Sequence, residues 1–276
     1  MSTPWIPAGP DLQTVRANYA DPLQSLANAD IPAIVLRGAY DAEQCSALLQ
    51  RFQGWGLIRD PLAFNSADKR TRIDIGTSLG NRGNDQEAFL NHATYTHDLF
   101  PKLFAGFDDP VKTMYDALTA LSNDKVATTA YEPDGRRYGP AIFRIHYETH
   151  SYIPHFDSVR LREKRTNYAV YRFPHQFAGI LCLQNARQGE RHAQTIIYRC
   201  LWTPEIQPHI AEGTFHHYAQ ENNIEQFCID LAPGDMYFFN THCIHEIPPL
   251  DGDNPRAVLA TFIGYSPGDP EIFVWA

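Results

Sequence analysis

The spacing of apolar residues changes character near residue 139. Residues 1–30 are irregular and interrupted by Pro, Asp and Asn, and the apolar run 31–37, ended by Gly38, predicts a short strand. In three segments between there and residue 138, apolar positions recur at the three- and four-residue intervals that are typical of amphipathic helices. The sequence therefore predicts an N-terminal part built mainly of helices.

Three helices are expected in this part. The first begins after Asp41, which can cap it together with Gln44. Its apolar face consists of Cys45, Leu48, Leu49 and Phe52. The second lies within residues 85–105, and the third begins at Asp109-Pro110, because Pro suits the first helical position. The buried stripe of the third consists of Val111, Met114, Tyr115, Leu118 and Leu121. We expect these helices to pack against a sheet.

After residue 139, short apolar runs alternate with turn residues. The runs are 140–147, 151–157, 177–184, 194–202, 226–231, 235–240 and 257–265. Short strands in succession favour a β-sandwich or a jelly roll. The expected fold class is therefore α+β, mainly β, with residues 1–276 as a single domain. Residues 1–138 would supply the helical support and the first strands, and residues 139–276 would supply the core.

Composition narrows the possible functions. The net charge is −9 and no Lys/Arg run is present, which argues against a surface for nucleic acid or anionic lipid. No apolar stretch approaches the roughly 20 residues of a membrane span, and we expect a soluble cytoplasmic protein. The five cysteines are odd in number and lack a Cys-x-x-Cys pair, so neither a disulfide framework nor a structural zinc site is indicated.

A candidate metal-binding site lies in the stretch Tyr152-Ile-Pro-His155-Phe-Asp157. Residues two apart on a strand face the same side, so His155 and Asp157 can bind one metal ion. The downstream run 233–245 supplies a third ligand, and Arg256 follows it. Two histidines and one carboxylate form the facial triad of non-haem Fe(II) oxygenases, which leaves positions open for a 2-oxo acid and O₂. The guanidinium of Arg256 can pair with the far carboxylate of 2-oxoglutarate.

Alternatives remain open for each of these residues. His242 or His245 could be the third ligand, and we prefer His245 because its shorter separation from Arg256 suits a strand end, a turn and the next strand start. His155 and His245 could also be buried histidines bonded to backbone carbonyls, and Arg256 could be an ordinary surface residue. The other candidate histidines have no comparable arrangement and are interpreted as structural. They are His146, His150, His192, His216 and His217.

These residues resemble the Fe(II)/2-oxoglutarate-dependent oxygenases. Tyr147 and the stretch from Tyr152 to Asp157 are similar to the Tyr…Tyr-x-Pro-His-x-Asp pattern of prolyl-hydroxylase-type members. Further similarity is to the carrier-independent indole-alkaloid halogenases of this superfamily. It lies in Pro32-Ala-Ile-Val-Leu-Arg-Gly38, Gly139-Pro-Ala-Ile-Phe-Arg-Ile145, Tyr198…Trp202, Pro233-Gly-Asp-Met236 and Phe273-Val-Trp275. The resemblance implies a double-stranded β-helix, a cupin-like jelly roll, with the N-terminal helices packed outside it.

The resemblance also implies roles for individual residues. His155, Asp157 and His245 would be the iron ligands, and Arg256 would bind 2-oxoglutarate. Tyr147 would donate a hydrogen bond to 2-oxoglutarate or would be an ordinary core tyrosine.

Two departures from the halogenases affect the expected chemistry. The halogenases carry a small residue where this chain has Asp157, and the vacated coordination position is where halide binds. The resemblance therefore implies a hydroxylase. The sequence His192-Ala-Gln194-Thr195 replaces a Gly-Gly-Glu-Leu/Thr strand start, which alters one wall of the pocket.

The expected function is an Fe(II)- and 2-oxoglutarate-dependent dioxygenase. It would hydroxylate, or otherwise oxidise, an unactivated C–H bond of a free small molecule such as a specialised metabolite. A zinc-dependent hydrolase on a cupin-like fold and a non-catalytic cupin-like binding protein are the alternatives. The basic segment 158–174 is either a solvated loop or a lid that contacts a substrate anion.

Overall fold

A computed structural model describes residues 4–59, 70–185, 194–249 and 254–276. In chain order the helices are α1 (Leu12–Asn18), α2 (Pro22–Ala27), α3 (Ala42–Gly54), α4 (Leu79–Arg82), α5 (Gln86–Phe104), α6 (Pro110–Leu121), α7 (Gln207–Ala211) and α8 (Phe215–Glu221). A 3₁₀-helix covers Ala169–Arg172. Within these ranges, no helix combines the length and the apolar character needed to cross a membrane.

The strands form two sheets. They are β1 (Ile34–Leu36), β2 (Arg72–Gly76), β3 (Val126–Thr129), β4 (Ile142–His146), β5 (Tyr152–His155), β6 (His175–Gln184), β7 (Ile196–Leu201), β8 (Gln226–Cys228), β9 (Met236–Asn240), β10 (Cys243–Ile247), β11 (Arg256–Tyr265) and β12 (Glu271–Trp275). The larger sheet has eight strands, with the order β1-β9-β6-β11-β12-β3 and with β4 joining β11 to β2. The smaller sheet has four strands in the order β5-β10-β7-β8.

The eight strands from β4 to β11 are divided between the two sheets in the pattern of a double-stranded β-helix, in which they alternate except for the consecutive pair β7 and β8. Strands β4, β6, β9 and β11 belong to the larger sheet, and β5, β7, β8 and β10 belong to the smaller one. The predicted jelly roll, cupin-like and of mixed α+β class, is therefore confirmed. Strands β1, β2, β3 and β12 extend the larger sheet beyond this core.

The three long helices pack on the outer face of the larger sheet. Phe52 of α3 and Met114 of α6 share one buried cluster with Phe143, Leu181 and Leu259 of the sheet. Because side chains alternate along a strand, the residues between these point into the space between the two sheets. That space is the cavity described below.

The three predicted helices are present as α3, α5 and α6, and an aspartate caps each of them. The carboxylate of Asp41 accepts a hydrogen bond from the backbone N–H of Gln44, and Asp85 and Asp109 cap the other two. The interpretation of residues 1–30 as irregular was wrong. Asp11 and Asp21 cap the short helices α1 and α2, which have too few turns for a periodic pattern to be visible.

Candidate functional site

Three predicted ligands converge at one end of the smaller sheet. His155, the last residue of β5, is the cross-strand partner of His245 on β10. Asp157 follows β5, and its backbone is fixed by two hydrogen bonds with Thr241, at 2.9 Å from its own N–H and at 2.8 Å to its carbonyl. The Asp157 Oδ2 atom lies 3.7 Å from His155 Nε2 and 3.6 Å from His245 Nε2. One ligand atom from each residue lies within 4.8 Å of the others.

The hydrogen bonds of the two imidazoles fix which nitrogen faces the cluster. Nδ1 of His155 lies 2.7 Å from the carbonyl of Ile153, and Nδ1 of His245 lies 2.9 Å from the carbonyl of Cys243. A carbonyl only accepts, so Nδ1 carries the proton in both rings. In a neutral ring the lone pair is therefore on Nε2, directed at the cluster, which is the usual arrangement of metal-binding histidines.

The protonation states suit a cation. Burial and the nearby His245 lower the pKa of His155 to about 4, although Asp157 opposes the shift, so this imidazole is neutral near pH 7. Burial alone would raise the pKa of Asp157, but His245, His155 and Arg162 together hold it well below its usual range. The Nε2 atoms of His155 and His245 and a carboxylate oxygen of Asp157 thus meet, and this donor set fits Fe(II).

Arg162 orients the carboxylate of Asp157. Its Nη1 donates to Asp157 Oδ1 at 2.9 Å and to the backbone carbonyl of Phe156 at 2.8 Å. One carboxylate oxygen is therefore occupied, while Oδ2 faces the imidazoles. No specific role for Arg162 was predicted, and its membership of the basic segment 158–174 was the one available signal.

His242 lies apart from this cluster. It occupies the turn before β10, and its Nε2 lies 3.1 Å from Ser158 Oγ. The structure thus brings His245, and not His242, together with His155 and Asp157.

Arg256 lies in the same cavity as the triad. The cavity has a volume of about 420 Å³, within the usual range for small-molecule sites, and both sheets line it. Arg256 begins β11 and is 3% exposed, and its Nη1 lies 3.2 Å from Nδ1 of His146 on the neighbouring strand β4. Burial and the charge of Arg256 lower the pKa of His146 well below its ordinary value, so His146 accepts this hydrogen bond as a neutral ring.

The structure does not bring Tyr147 into this cavity. Its side chain packs in the helix-facing core, and its hydroxyl accepts a hydrogen bond from the backbone N–H of Arg59 at 3.0 Å. The reason is alternation along the chain, because the preceding His146 faces the cavity. Tyr152 is the motif tyrosine that lines the cavity, and its hydroxyl accepts from Arg72 Nη1 at 2.9 Å.

Two further residues that were singled out from the sequence line the cavity, and a third lies outside the described residues. His146 had been interpreted as structural, yet it lines the cavity beside Arg256. Thr195, at the altered strand start, also lines the cavity and lies 2.6 Å from the hydroxyl of Tyr237. His192 lies outside the described residues.

We expect the stability of the metal-free protein to fall as the pH is lowered. Burial, together with His175, lowers the pKa of His242 to about 4, and His155 has a similar value. In the unfolded chain both imidazoles bind protons near their ordinary pKa of about 6.5. Between about pH 6.5 and 4 the unfolded chain therefore binds more protons, and each group lowers the unfolding free energy by up to about 1.4 kcal/mol per pH unit.

Urea unfolding of the metal-free protein at several pH values in this window measures the effect. The variant His242→Gln removes one of the two groups without touching the triad, and its pH dependence should be shallower. An equal slope in both proteins would contradict the assignment of a low pKa to His242.

A double-stranded β-helix that holds two imidazoles and a carboxylate in its cavity defines the class of non-haem iron oxygenases. The family described as carrier-protein-independent halogenase WelO5 matches residues 11–276. The chain belongs to this family, which confirms the resemblance to the Fe(II)/2-oxoglutarate-dependent oxygenases. No curated protein matches the sequence at a significant level.

Solved structures share the fold at low sequence identity. An N-substituted L-amino acid dioxygenase from Burkholderia ambifaria AMMD has a TM-score of 0.60 and 16% identity, over 95% of this chain and 92% of that one. The same enzyme in complex with alpha-ketoglutarate has a TM-score of 0.55 and 16% identity, over 92% of this chain and 90% of that one. At this identity the similarity establishes the shared fold.

Proposed function

We propose that this protein is an Fe(II)- and 2-oxoglutarate-dependent dioxygenase that hydroxylates an unactivated C–H bond of a free small molecule. The observation that carries the proposal is the convergence of the Nε2 atoms of His155 and His245 on the carboxylate of Asp157. The buried Arg256 in the same cavity adds a fixed positive charge for a dicarboxylate cosubstrate.

In this proposal the three residues of the cluster hold the metal. Fe(II) bound there, with 2-oxoglutarate and O₂, supplies the oxidising power that no amino-acid side chain has. Arg256 binds the far carboxylate of 2-oxoglutarate and orients it, and the neutral His146 supports the guanidinium without competing as a cation. The ring of Phe239 packs edge-on against His245 at a centroid distance of 4.9 Å and excludes water from that side.

The carboxylate of Asp157 favours hydroxylation over halogenation. Its Oδ2 atom faces both imidazoles and would be the third ligand of a bound metal, so Asp157 would fill the position that the halogenases leave for halide. Its Oδ1 atom is held by Arg162, which prevents the carboxylate from turning away. Membership of a family described as carrier-protein-independent supports a free substrate, which we propose to be a specialised metabolite.

The proposed function is tested by turnover of the cosubstrate. Protein reconstituted with Fe(II) and supplied with 2-oxoglutarate and O₂ should release succinate, and the same protein loaded with Zn(II) should not. A substrate then accelerates this release and gains one oxygen atom, as measured by mass spectrometry with ¹⁸O₂. Succinate release that is independent of Fe(II) would overturn the proposal.

Replacement of the carboxylate ligand should change the response to halide. In Asp157→Gly we expect succinate release to fall by about tenfold or more, because one metal ligand is lost. The vacated position and the unpaired guanidinium of Arg162 then favour an anion. Chloride should therefore alter the visible absorption of the anaerobic Fe(II)–2-oxoglutarate complex in Asp157→Gly but not in the native protein.

The double variant Asp157→Gly/Arg162→Met is the matched control for this effect. It keeps the vacated position but removes the positive charge, so its sensitivity to chloride should be weaker. A chloride effect of equal size in the native protein would contradict the hydroxylase assignment, since halide would then bind with Asp157 in place.

A further inference from the structure

Arg144 lines the same cavity but has no partner for its charge. It lies on β4, and within the part of the chain that the structure describes its guanidinium makes neither a hydrogen bond nor an ion pair. Its Nε atom is buried and lacks an acceptor. A buried polar group without a partner destabilises the protein, so an acceptor supplied by a ligand would remove that cost.

The other charged groups of the cavity wall already have roles. Arg162 is paired with Asp157 at 2.9 Å. Glu163 is ion-paired with Arg165. Arg256 has no carboxylate partner among the described residues, but the proposed function gives it the far carboxylate of 2-oxoglutarate. Once iron and 2-oxoglutarate are bound, the arginine of β4 is the one described cavity arginine without a counter-charge.

Asp74 is the carboxylate placed best to neutralise Arg144, because the two residues are cross-strand partners between β2 and β4. It is nevertheless engaged elsewhere. Arg72 binds both oxygens of Asp74, through Nε at 2.8 Å and through Nη2, and Asn81 donates to Oδ2 at 3.0 Å. The pairing of Asp74 with Arg72 therefore leaves Arg144 free to bind a ligand.

Sheet register places Arg144 next to the proposed cosubstrate site. Arg144 is the cross-strand partner of Val258, and Arg256 is the partner of His146 two residues further along β4. Diagonal neighbours of this kind lie roughly 7–8 Å apart at the backbone. Both guanidinium groups line the same cavity, where their like charges repel each other, and a second anion beside 2-oxoglutarate would compensate the repulsion.

We propose that Arg144 binds the substrate through a free carboxylate group, which makes the substrate class a small apolar carboxylic acid. A single unpaired guanidinium matches one negative charge and the planar, bidentate geometry of a carboxylate. The neighbouring cavity positions Ile142 and Ala260, which are cross-strand partners, offer an apolar surface for the rest of the molecule. This inference rests on the proposed function, because it assigns iron and 2-oxoglutarate to the rest of the cavity.

The test compares carboxylates with their uncharged amides. The probes are phenylacetate, 3-phenylpropionate, indole-3-acetate and N-acetyl-L-phenylalanine, each beside the corresponding amide. Binding to the anaerobic Fe(II)–2-oxoglutarate complex is measured by isothermal titration calorimetry. The native protein should bind at least one carboxylate about tenfold or more tightly than its amide, as a charge-assisted hydrogen bond provides.

The variants assign this preference to one residue. Arg144→Met should bind the carboxylate and the amide equally, and Arg144→Lys should keep part of the preference. Arg199→Met is the matched control, because it removes one positive charge from an exposed ion pair with Glu225 outside the cavity, and its preference should equal that of the native protein. The visible absorption of the 2-oxoglutarate complex in Arg144→Met shows that this variant is folded.

Four results would overturn the inference, the last of them together with the proposed function. The native protein could bind none of the carboxylates, or it could bind them no more tightly than the amides. Arg144→Met could also weaken the binding of 2-oxoglutarate itself, which would place Arg144 in the cosubstrate site. If the native protein shows no absorption with Fe(II) and 2-oxoglutarate before any probe is added, the proposed function fails and this inference fails with it. Normal absorption without a carboxylate preference overturns this inference alone.

Discussion

His245→Ala should abolish Fe(II) binding and reduce turnover to background, a loss of about three orders of magnitude or more. The imidazole supplies one of the three converging donor atoms, and its Nδ1–H is held by the carbonyl of Cys243 so that Nε2 faces Asp157. Without this ring the remaining His155 and Asp157 leave the ion with two protein ligands. Metal content of the purified variant after incubation with Fe(II), together with succinate release, measures the effect.

His242→Ala is the matched control for this variant. It removes the same side chain three residues earlier in the sequence, where the ring contacts Ser158 and lies outside the cluster. We expect this variant to retain metal binding and most of its turnover. The opposite pattern, in which His242→Ala loses the metal and His245→Ala retains it, would show that the wrong histidine has been assigned.

Arg256→Ala should raise the apparent KM for 2-oxoglutarate by roughly two orders of magnitude. A charge-assisted hydrogen bond contributes about 2–3 kcal/mol, and the guanidinium is buried where water screens it little. The metal ligands remain in place, so Fe(II) binding without 2-oxoglutarate should not change. Steady-state succinate release as a function of 2-oxoglutarate concentration measures the change in KM.

Arg256→Lys separates charge from geometry at this position. Lysine keeps the positive charge but loses the bidentate fork, so its KM should lie between those of the native protein and Arg256→Ala. An unchanged KM in Arg256→Ala would move the cosubstrate contact to another cavity arginine. Arg144, which has no partner among the described residues, would then be the first to test.

Local rules of sequence account for the grouping of His155 with Asp157 and for the choice of His245 as the third ligand. The two-residue spacing places His155 and Asp157 on one side of the chain, and the distance to Arg256 selected His245 over His242. The same rules located the three long helices, because an aspartate caps each one and the apolar stripe repeats over several turns. These features depend on residues that are close together in the chain.

Features that depend on contacts between segments far apart in the sequence could not be predicted. Arg72 reaches the cavity because β2 lies beside β4, and that pairing joins segments about 70 residues apart. For Tyr147 the sequence left open a contact with 2-oxoglutarate or a place in the core, because the face on which a residue beside β4 lies depends on the register of the sheet. Arg162 contacts Asp157 through the fold of a loop that has no periodic pattern.

The most direct measurement is an anaerobic titration of the metal-free protein with Fe(II) and then with 2-oxoglutarate. A 2-oxo acid that chelates Fe(II) produces a visible charge-transfer absorption, and we expect this absorption in the native protein at a stoichiometry of one. In Arg256→Ala it should require a roughly hundredfold higher 2-oxoglutarate concentration. Absence of the absorption in the native protein, combined with tight binding of Zn(II), would contradict the oxygenase assignment and favour a zinc hydrolase.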